Sequence, residues 1–209
     1  TPFYDKLKNR GLVHIEGADR HEFLQGLITN DMERLSPTTP IYACLLSPQG
    51  KFLHDFFVIE GDKYIMLDCE GGARAQDLVN RLNIYRLRSD VQISLEESND
   101  VYAIFGAEVG LPDTRHADMG YRSFEKPEDM EEHPFEAWDI QRIKLCIPDG
   151  SRDLVIEKST MDEARMDTLG AIDYEKGCYV GQELTARMHY RGLGKKHLQT
   201  VDVNALPEK

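Results

Sequence analysis

The chain has 209 residues, 41% of them hydrophobic and 30% charged, with a formal net charge of −12. That is enough chain for one sizeable core or two small ones. The diffuse negative field disfavours contact with duplex nucleic acid or an anionic lipid surface, and no apolar run reaches the roughly 18 residues of a membrane span.

The start, Thr1-Pro2-Phe3-Tyr4, has neither a basic-then-apolar signal pattern nor an initiator methionine, and reads as a processed or trimmed end. Residues 11–17 alternate and predict a strand. Residues 18–30 predict a helix, with Asp19 as its cap and Phe23, Leu24, Leu27 and Ile28 as its apolar stripe. Ser36-Pro37-Thr38-Thr39-Pro40 breaks the chain. Strands are expected over 41–46, 51–60 and 63–69, joined by turns at Ser47-Pro48-Gln49-Gly50 and Glu60-Gly61-Asp62, which makes an antiparallel meander. A helix follows over 72–87, with Leu78, Val79 and Leu82 inward, then strands over 91–96 and 101–105. Residues 125–133 read as a charged loop. Pro134 opens a helix over 135–145, residues 156–165 show no clear pattern, and 197–203 read as a new strand. This order of elements predicts an α+β fold rather than a doubly wound parallel sheet.

The cysteines, Cys44, Cys69, Cys146 and Cys178, include no C-x-x-C pair, and no histidine stands at zinc-finger spacing from them. Cys44 and Cys69 lie in apolar strand-like runs and read as core. Scattered cysteines suit a reducing compartment, and their spacing argues against a cluster held by this chain alone.

The segment with chemical character is Lys176-Gly177-Cys178-Tyr179-Val180-Gly181-Gln182-Glu183. Two glycines bracket a cysteine and a tyrosine, and good helix formers follow from Gln182 to Tyr190. Glycine permits positive φ and close backbone approach, and a helix N-terminus favours an anion or thiolate. With Lys176 two residues before it, Cys178 could have a lowered thiol pKa. A packed glycine turn with a buried cysteine fits the same residues.

This string resembles the signature of YgfZ-type proteins, which include mitochondrial iron–sulfur assembly factors and are relatives of the glycine-cleavage T-protein, an aminomethyltransferase. Residues 23–31, 45–56 and 186–192 match at the expected places, and the resemblance runs from about Phe3 to Leu198. It implies an aminomethyltransferase (GcvT-like) folate-binding fold, with antiparallel sheets and packed helices around a central folate cavity. Residues 1–197 would form two interleaved subdomains and 198–209 the start of a C-terminal barrel-like domain. The implied cofactor is tetrahydrofolate or a one-carbon derivative. The implied partners are client iron–sulfur proteins or cluster carriers, with no direct DNA contact and no membrane, in a bacterial cytoplasm or, alternatively, a mitochondrial matrix.

By the same resemblance, Asp55 of His54-Asp55 takes the place of the second acid of the T-protein pair, beside the folate. A carboxylate there can accept from pterin N–H groups or orient a proton transfer at nitrogen. Asp55 and Cys178 are the implied catalytic residues, and Asp55, Arg142, Asn30, Tyr179, Lys176 and Gln182 the cofactor-binding set, with no metal ligand. The fork of Arg142 suits a carboxylated ligand. Cys146 stands where relatives usually have glycine. Asp113-Thr114-Arg115 and Gly120-Tyr121-Arg122 resemble a family turn and strand, without the glutamate-bearing Gly-Tyr-Thr-Gly-Glu segment of the T-protein. A folate-dependent assembly or repair factor is therefore the first reading, a folate-dependent aminomethyl or methyl transferase the second, and a regulator of tRNA modification acting through another protein the third.

Overall fold

The computed structural model describes residues 1–204. In chain order the strands are β1 (Phe3–Lys6), β2 (Arg10–Glu16), β3 (Ile41–Leu46), β4 (Phe52–Glu60), β5 (Tyr64–Glu70), β6 (Gln92–Glu96), β7 (Tyr102–Phe105), β8 (Leu111–Pro112), β9 (Tyr121–Ser123) and β10 (Glu131–His133). The helices are α1 (Arg20–Gln25), α2 (Ala73–Arg86), α3 (Glu136–Lys144) and α4 (Gln182–Arg191). The strands form two five-stranded sheets, in the orders β10-β1-β7-β9-β8 and β3-β4-β5-β2-β6. Every pairing is antiparallel except β1 with β10. The α+β expectation therefore holds.

The second sheet is covered on both sides, which explains why β3 and β4 read as continuous apolar runs rather than clean alternations. One face, carrying Tyr42, Cys44 and Phe57, joins Ala103, Met119 and Trp138 in the larger core. The other, carrying Ala43, Phe56, Val58 and Leu67, packs with Phe23 and Leu24 of α1 and Leu78 and Leu82 of α2. Because successive strand side chains point to opposite faces, neighbours on β4 part company. Asp55 shares the face of Phe57, whereas His54 bonds Asp77 of α2 at 2.7 Å. Burial lowers the His54 pKa to about 4, even with Asp77 opposing.

Four expectations are corrected. The helix predicted over 18–30 is only α1, closed by Gly26. Leu27 and Ile28 are buried as their spacing suggests, but Ile28 bridges Leu45 and the Thr29 N–H bonds the Cys44 carbonyl at 3.1 Å, so this chain runs along β3. Asp19 does not cap the helix through its side chain; that carboxylate accepts from the Asp90 N–H at 2.7 Å. Within the supposed loop 125–133, Glu131–His133 form a parallel edge strand on β1, helped by Phe3 stacking on His133 with ring centres 4.0 Å apart. Over 197–203 no strand forms: this segment meets irregular chain, with the Leu198 N–H on the Glu163 carbonyl at 2.8 Å. Residues 205–209 of the expected barrel start lie outside the described residues. The patternless stretch 156–165 is irregular chain whose Met161 and Ala164 are core residues.

Candidate functional site

Asp55 is 2% exposed and sits in the space between the two sheets. Its Oδ2 accepts a hydrogen bond from the Tyr42 hydroxyl at 2.6 Å, while Oδ1 has no partner among the described residues. Burial raises its pKa, with the nearby Arg10 charge pulling the other way. Around it runs an ionic network that ties the sheets together. Asp68 on β5 accepts from Arg10 Nε at 2.8 Å and from Arg122 Nε on β9 at 2.7 Å. Burial alone would push the Asp68 carboxyl up, and the two guanidiniums outweigh it and hold it low. Asp113 takes a bidentate bond from Arg115, at 2.9 and 2.6 Å. The Arg115 guanidinium covers the rings of Phe57 and Tyr42, 4.8 and 5.3 Å from their centres. Arg122 lies 4.5 Å from the Phe57 ring centre. The surroundings of Asp55 are thus aromatic and charged side chains packed on one another.

The signature segment lies beyond Tyr42. Lys176 is buried, and its Nζ donates to the carbonyls of Gln25, Ile28 and Asn30 at 2.7, 2.8 and 2.7 Å. It therefore fastens the segment to the chain that leaves α1, and burial lowers its pKa to about 8. The Tyr179 ring, also buried, lies 5.1 Å from that ammonium. Gly181 adopts φ +81° and caps α4; a Cβ there would fall 2.5 Å from the Ser47 carbonyl oxygen and 3.1 Å from Gly50 Cα. Only glycine allows both the conformation and this approach of the β3–β4 turn. Gly177, in contrast, faces open space, and Cys178 is exposed. Gln182 is half-buried in the first turn of α4.

Asn30, Lys176 and Tyr179 are thus brought together, Gln182 and the exposed Cys178 belong to the same segment, and Tyr42 links Asn30 to Asp55, since Asn30 Nδ2 donates to the Tyr42 carbonyl at 2.8 Å and to the Gly170 carbonyl at 2.9 Å. Arg142 stands apart on α3. It is 3% exposed and pairs with Asp139 and Asp153, each at 2.6 Å. It lines a cavity of about 220 Å³ with Cys146 and residues 198–201. The Asp153 carboxylate also accepts from the Asp149 N–H at 2.8 Å, and Asp149 lies 3.8 Å from Arg10, so a chain of polar groups connects Arg142 to the interior of the sheets. Sequence reasoning missed Arg10, Tyr42 and Asp68. The available signal was a charged residue inside one predicted apolar strand, Asp68, and another just before a second, Arg10, which a buried sheet tolerates only as a pair.

The donor and acceptor set fits a flat, nitrogen-rich ring. Asp55 Oδ1, Asp149 Oδ1 and Arg122 Nη1 are buried polar atoms without hydrogen-bond partners among the described residues, and the Tyr42 and Phe57 rings, covered by the Arg115 and Arg122 guanidiniums, lie with them. An unpaired buried polar atom costs about 1–3 kcal/mol, so their presence is a reason to look for a ligand that satisfies them.

No protein-family model matches the chain. A protein of Coccidioides immitis named "Iron-sulfur cluster assembly factor IBA57 homolog, mitochondrial" is 30% identical over 238 residues, covering 95% of this chain and 56% of the relative. A protein of Pyricularia oryzae with the same name is 30% identical over 224 residues, covering 95% and 57%. The chain therefore spans little more than half the length of these curated relatives. Among solved structures, the glycine cleavage system aminomethyltransferase T from Bartonella henselae superimposes with a TM-score of 0.68, covering 91% of this chain and 63% of that one. At 17% identity this likeness speaks for the fold, which is that of the aminomethyltransferase.

Proposed function

As the chain is a homologue of the YgfZ-type iron–sulfur cluster assembly factors, we propose that it serves the assembly or repair of iron–sulfur proteins and binds tetrahydrofolate to do so. The observation that carries the folate half is Asp55, a buried carboxyl with one oxygen bonded by Tyr42 and the other free, beside two aromatic rings. Asp55 Oδ1 would accept from a pterin N–H, and the Tyr42 hydroxyl keeps the carboxyl turned so that Oδ1 stays available. A reduced folate bound there would supply a nitrogen able to take or give a one-carbon unit. The raised pKa of Asp55 suits a group that holds or releases a proton beside that nitrogen.

Cys178, exposed on the signature segment, would meet the client protein or cluster carrier. That the relatives are named as mitochondrial proteins favours the mitochondrial matrix as the compartment. Against the aminomethyltransferase reading, the glutamate-bearing segment of the T-protein is not seen in the β9 region, where Arg122 is committed to Asp68.

Calorimetric titration of tetrahydrofolate into the wild type and into Asp55→Asn tests the folate half. Micromolar binding that the variant loses is the expected result; equal binding by both removes Asp55 from the site, and absence of binding by the wild type removes the folate. Growth of a strain lacking the gene, complemented with Cys178→Ala, tests the thiol, and full complementation would sink its role.

A further inference from the structure

We propose that Arg115 is a displaceable plug, its guanidinium holding the aromatic faces that a flat ligand ring takes when it binds beside Asp55. The inference rests on the reading of Asp55 as a folate site. Arg115 enters the interior from a surface loop: in the stretch 113–118 Asp113, at 4% exposure, and Arg115, at 7%, are buried, while Thr114, His116, Ala117 and Asp118 are exposed. The guanidinium is planar and delocalised and lies over Phe57 and Tyr42, 4.8 and 5.3 Å from their ring centres. A planar cation on an aromatic face occupies the space of a stacked heteroaromatic ring.

Two arginines cover Phe57, and they differ in what would happen if they moved. Arg122 is bonded to Asp68 on the opposite sheet, so its departure would weaken the tie between sheets and strip a buried carboxylate of one partner. Arg115 is bonded to Asp113, two residues away in its own loop, through both carboxylate oxygens and the Arg115 N–H. Arg115 can leave without stranding a charge in the interior: Asp113 keeps Arg122 Nη1, 3.6 Å away, Asp55 keeps Tyr42, and Asp68 keeps Arg10 and Arg122. The loop also has a firm anchor. The Asp113 N–H bonds the Gly120 carbonyl at 2.9 Å, and Gly120, at φ +68°, lies so close to Ile104 that a Cβ would fall 2.1 Å from its carbonyl oxygen. A swing about this base uncovers the Tyr42 ring, whose hydroxyl bonds Asp55, and the part of Phe57 that Arg115 holds.

The test is tetrahydrofolate titration by calorimetry, with stopped-flow binding kinetics, on wild type, Arg115→Met and Asp113→Asn. A closed plug divides the intrinsic affinity by the open fraction, so Arg115→Met is expected to bind about tenfold more tightly. Asp113→Asn, which keeps the guanidinium but loosens its anchor, is expected to gain about threefold by the same relation, and it carries the test if Arg115→Met does not fold. The observed binding rate should level off with ligand concentration in the wild type, where opening limits entry, and stay linear in Arg115→Met. If wild type binds and the variants bind equally or more weakly, Arg115 is no plug while the folate site stands. If none of the three binds, the folate site falls and the plug with it.

Discussion

The interior around Asp55 and the signature segment 176–183 are built on opposite terms. In the interior, each charged group is held by another: Asp68 by Arg10 and Arg122, Asp113 by Arg115, Asp55 by Tyr42. Such mutual holding fixes geometry, and it leaves a few lone oxygens and N–H groups that the protein does not use. The signature segment is fastened at Lys176 and Gly181 and open between them at Gly177 and Cys178. Residues of one short string therefore divide by role. Two are explained by the fold they create, and two are not explained by the fold at all.

Substitution of the fastening residues should break that division most severely. Lys176→Met removes the donor for three backbone carbonyls and leaves them buried. A cost of about 3 kcal/mol is expected in urea unfolding, at roughly 1 kcal/mol for each lost bond. A loss under about 1 kcal/mol would mean that water replaces the ammonium and that Lys176 belongs with the open residues instead. Gly181→Ala comes next. The alanine must adopt φ +81° with its Cβ 2.5 Å from the Ser47 oxygen, so about 2 kcal/mol of destabilisation is expected. Gly50→Ala, on the facing turn at φ +77°, should cost a similar amount, and the double variant should cost less than the sum because one shift relieves both contacts.

How much of this was legible in the sequence follows from how local each feature is. The meander β3–β4–β5 was readable because its signals, apolar runs and the turn Ser47-Pro48-Gln49-Gly50, lie within a few residues of one another. Gly181 was readable as a turn glycine, although not as the partner of Gly50, since that contact joins distant stretches of chain. The Arg10–Asp68 and Asp68–Arg122 pairs span 58 and 54 residues, and no periodicity reports such a pairing. The edge strand β10 has the sequence Glu-Glu-His and carries no strand pattern; its register is set by β1, more than a hundred residues earlier. Asp55 itself, on a fully buried strand, was indistinguishable from a misplaced polar residue without the family resemblance. Lys176 was read as a charge for the thiol and as a cofactor contact, and a single sequence gave no hint that three carbonyls would claim it.

Asp5 sharpens the interior half of the comparison, because it is a second buried carboxyl whose environment favours the protonated form. Burial raises its pKa from 3.8 to about 6, with the Trp138 backbone N–H and His133 lowering it and Glu136 raising it. The folded state then binds the proton more tightly than the unfolded chain. Asp5 makes its largest contribution to stability below about pH 3.8, loses it as the pH rises through about 6, and is flat above that. Asp5→Asn should therefore stabilise the protein at pH 7, by about 2 kcal/mol at 1.36 kcal/mol per pKa unit less an allowance for relaxation. It should also flatten the fall between those pH values and leave tetrahydrofolate binding unchanged. An unchanged melting temperature at pH 7 would show that a water or a shift of β1 satisfies Asp5.

The smallest expected effects on stability fall on the open residues, and they carry the most weight for function. A Cβ on Gly177 would meet nothing within 4 Å, its φ is not in the left-handed region, and Cys178 is exposed. Gly177→Ala and Cys178→Ala should each change unfolding free energy by no more than about 0.5 kcal/mol, the range of ordinary surface substitutions. If they nonetheless abolish complementation in a strain lacking the gene, the open half of the signature acts on something outside the chain, and Gly177 marks where that partner comes close to the backbone. Should Cys178→Ala fail and Gly177→Ala complement fully, the thiol alone would matter and the approach of the partner would not require a bare backbone. If both complement, the signature is a fastening device from end to end, and the chemistry of the protein lies with Asp55.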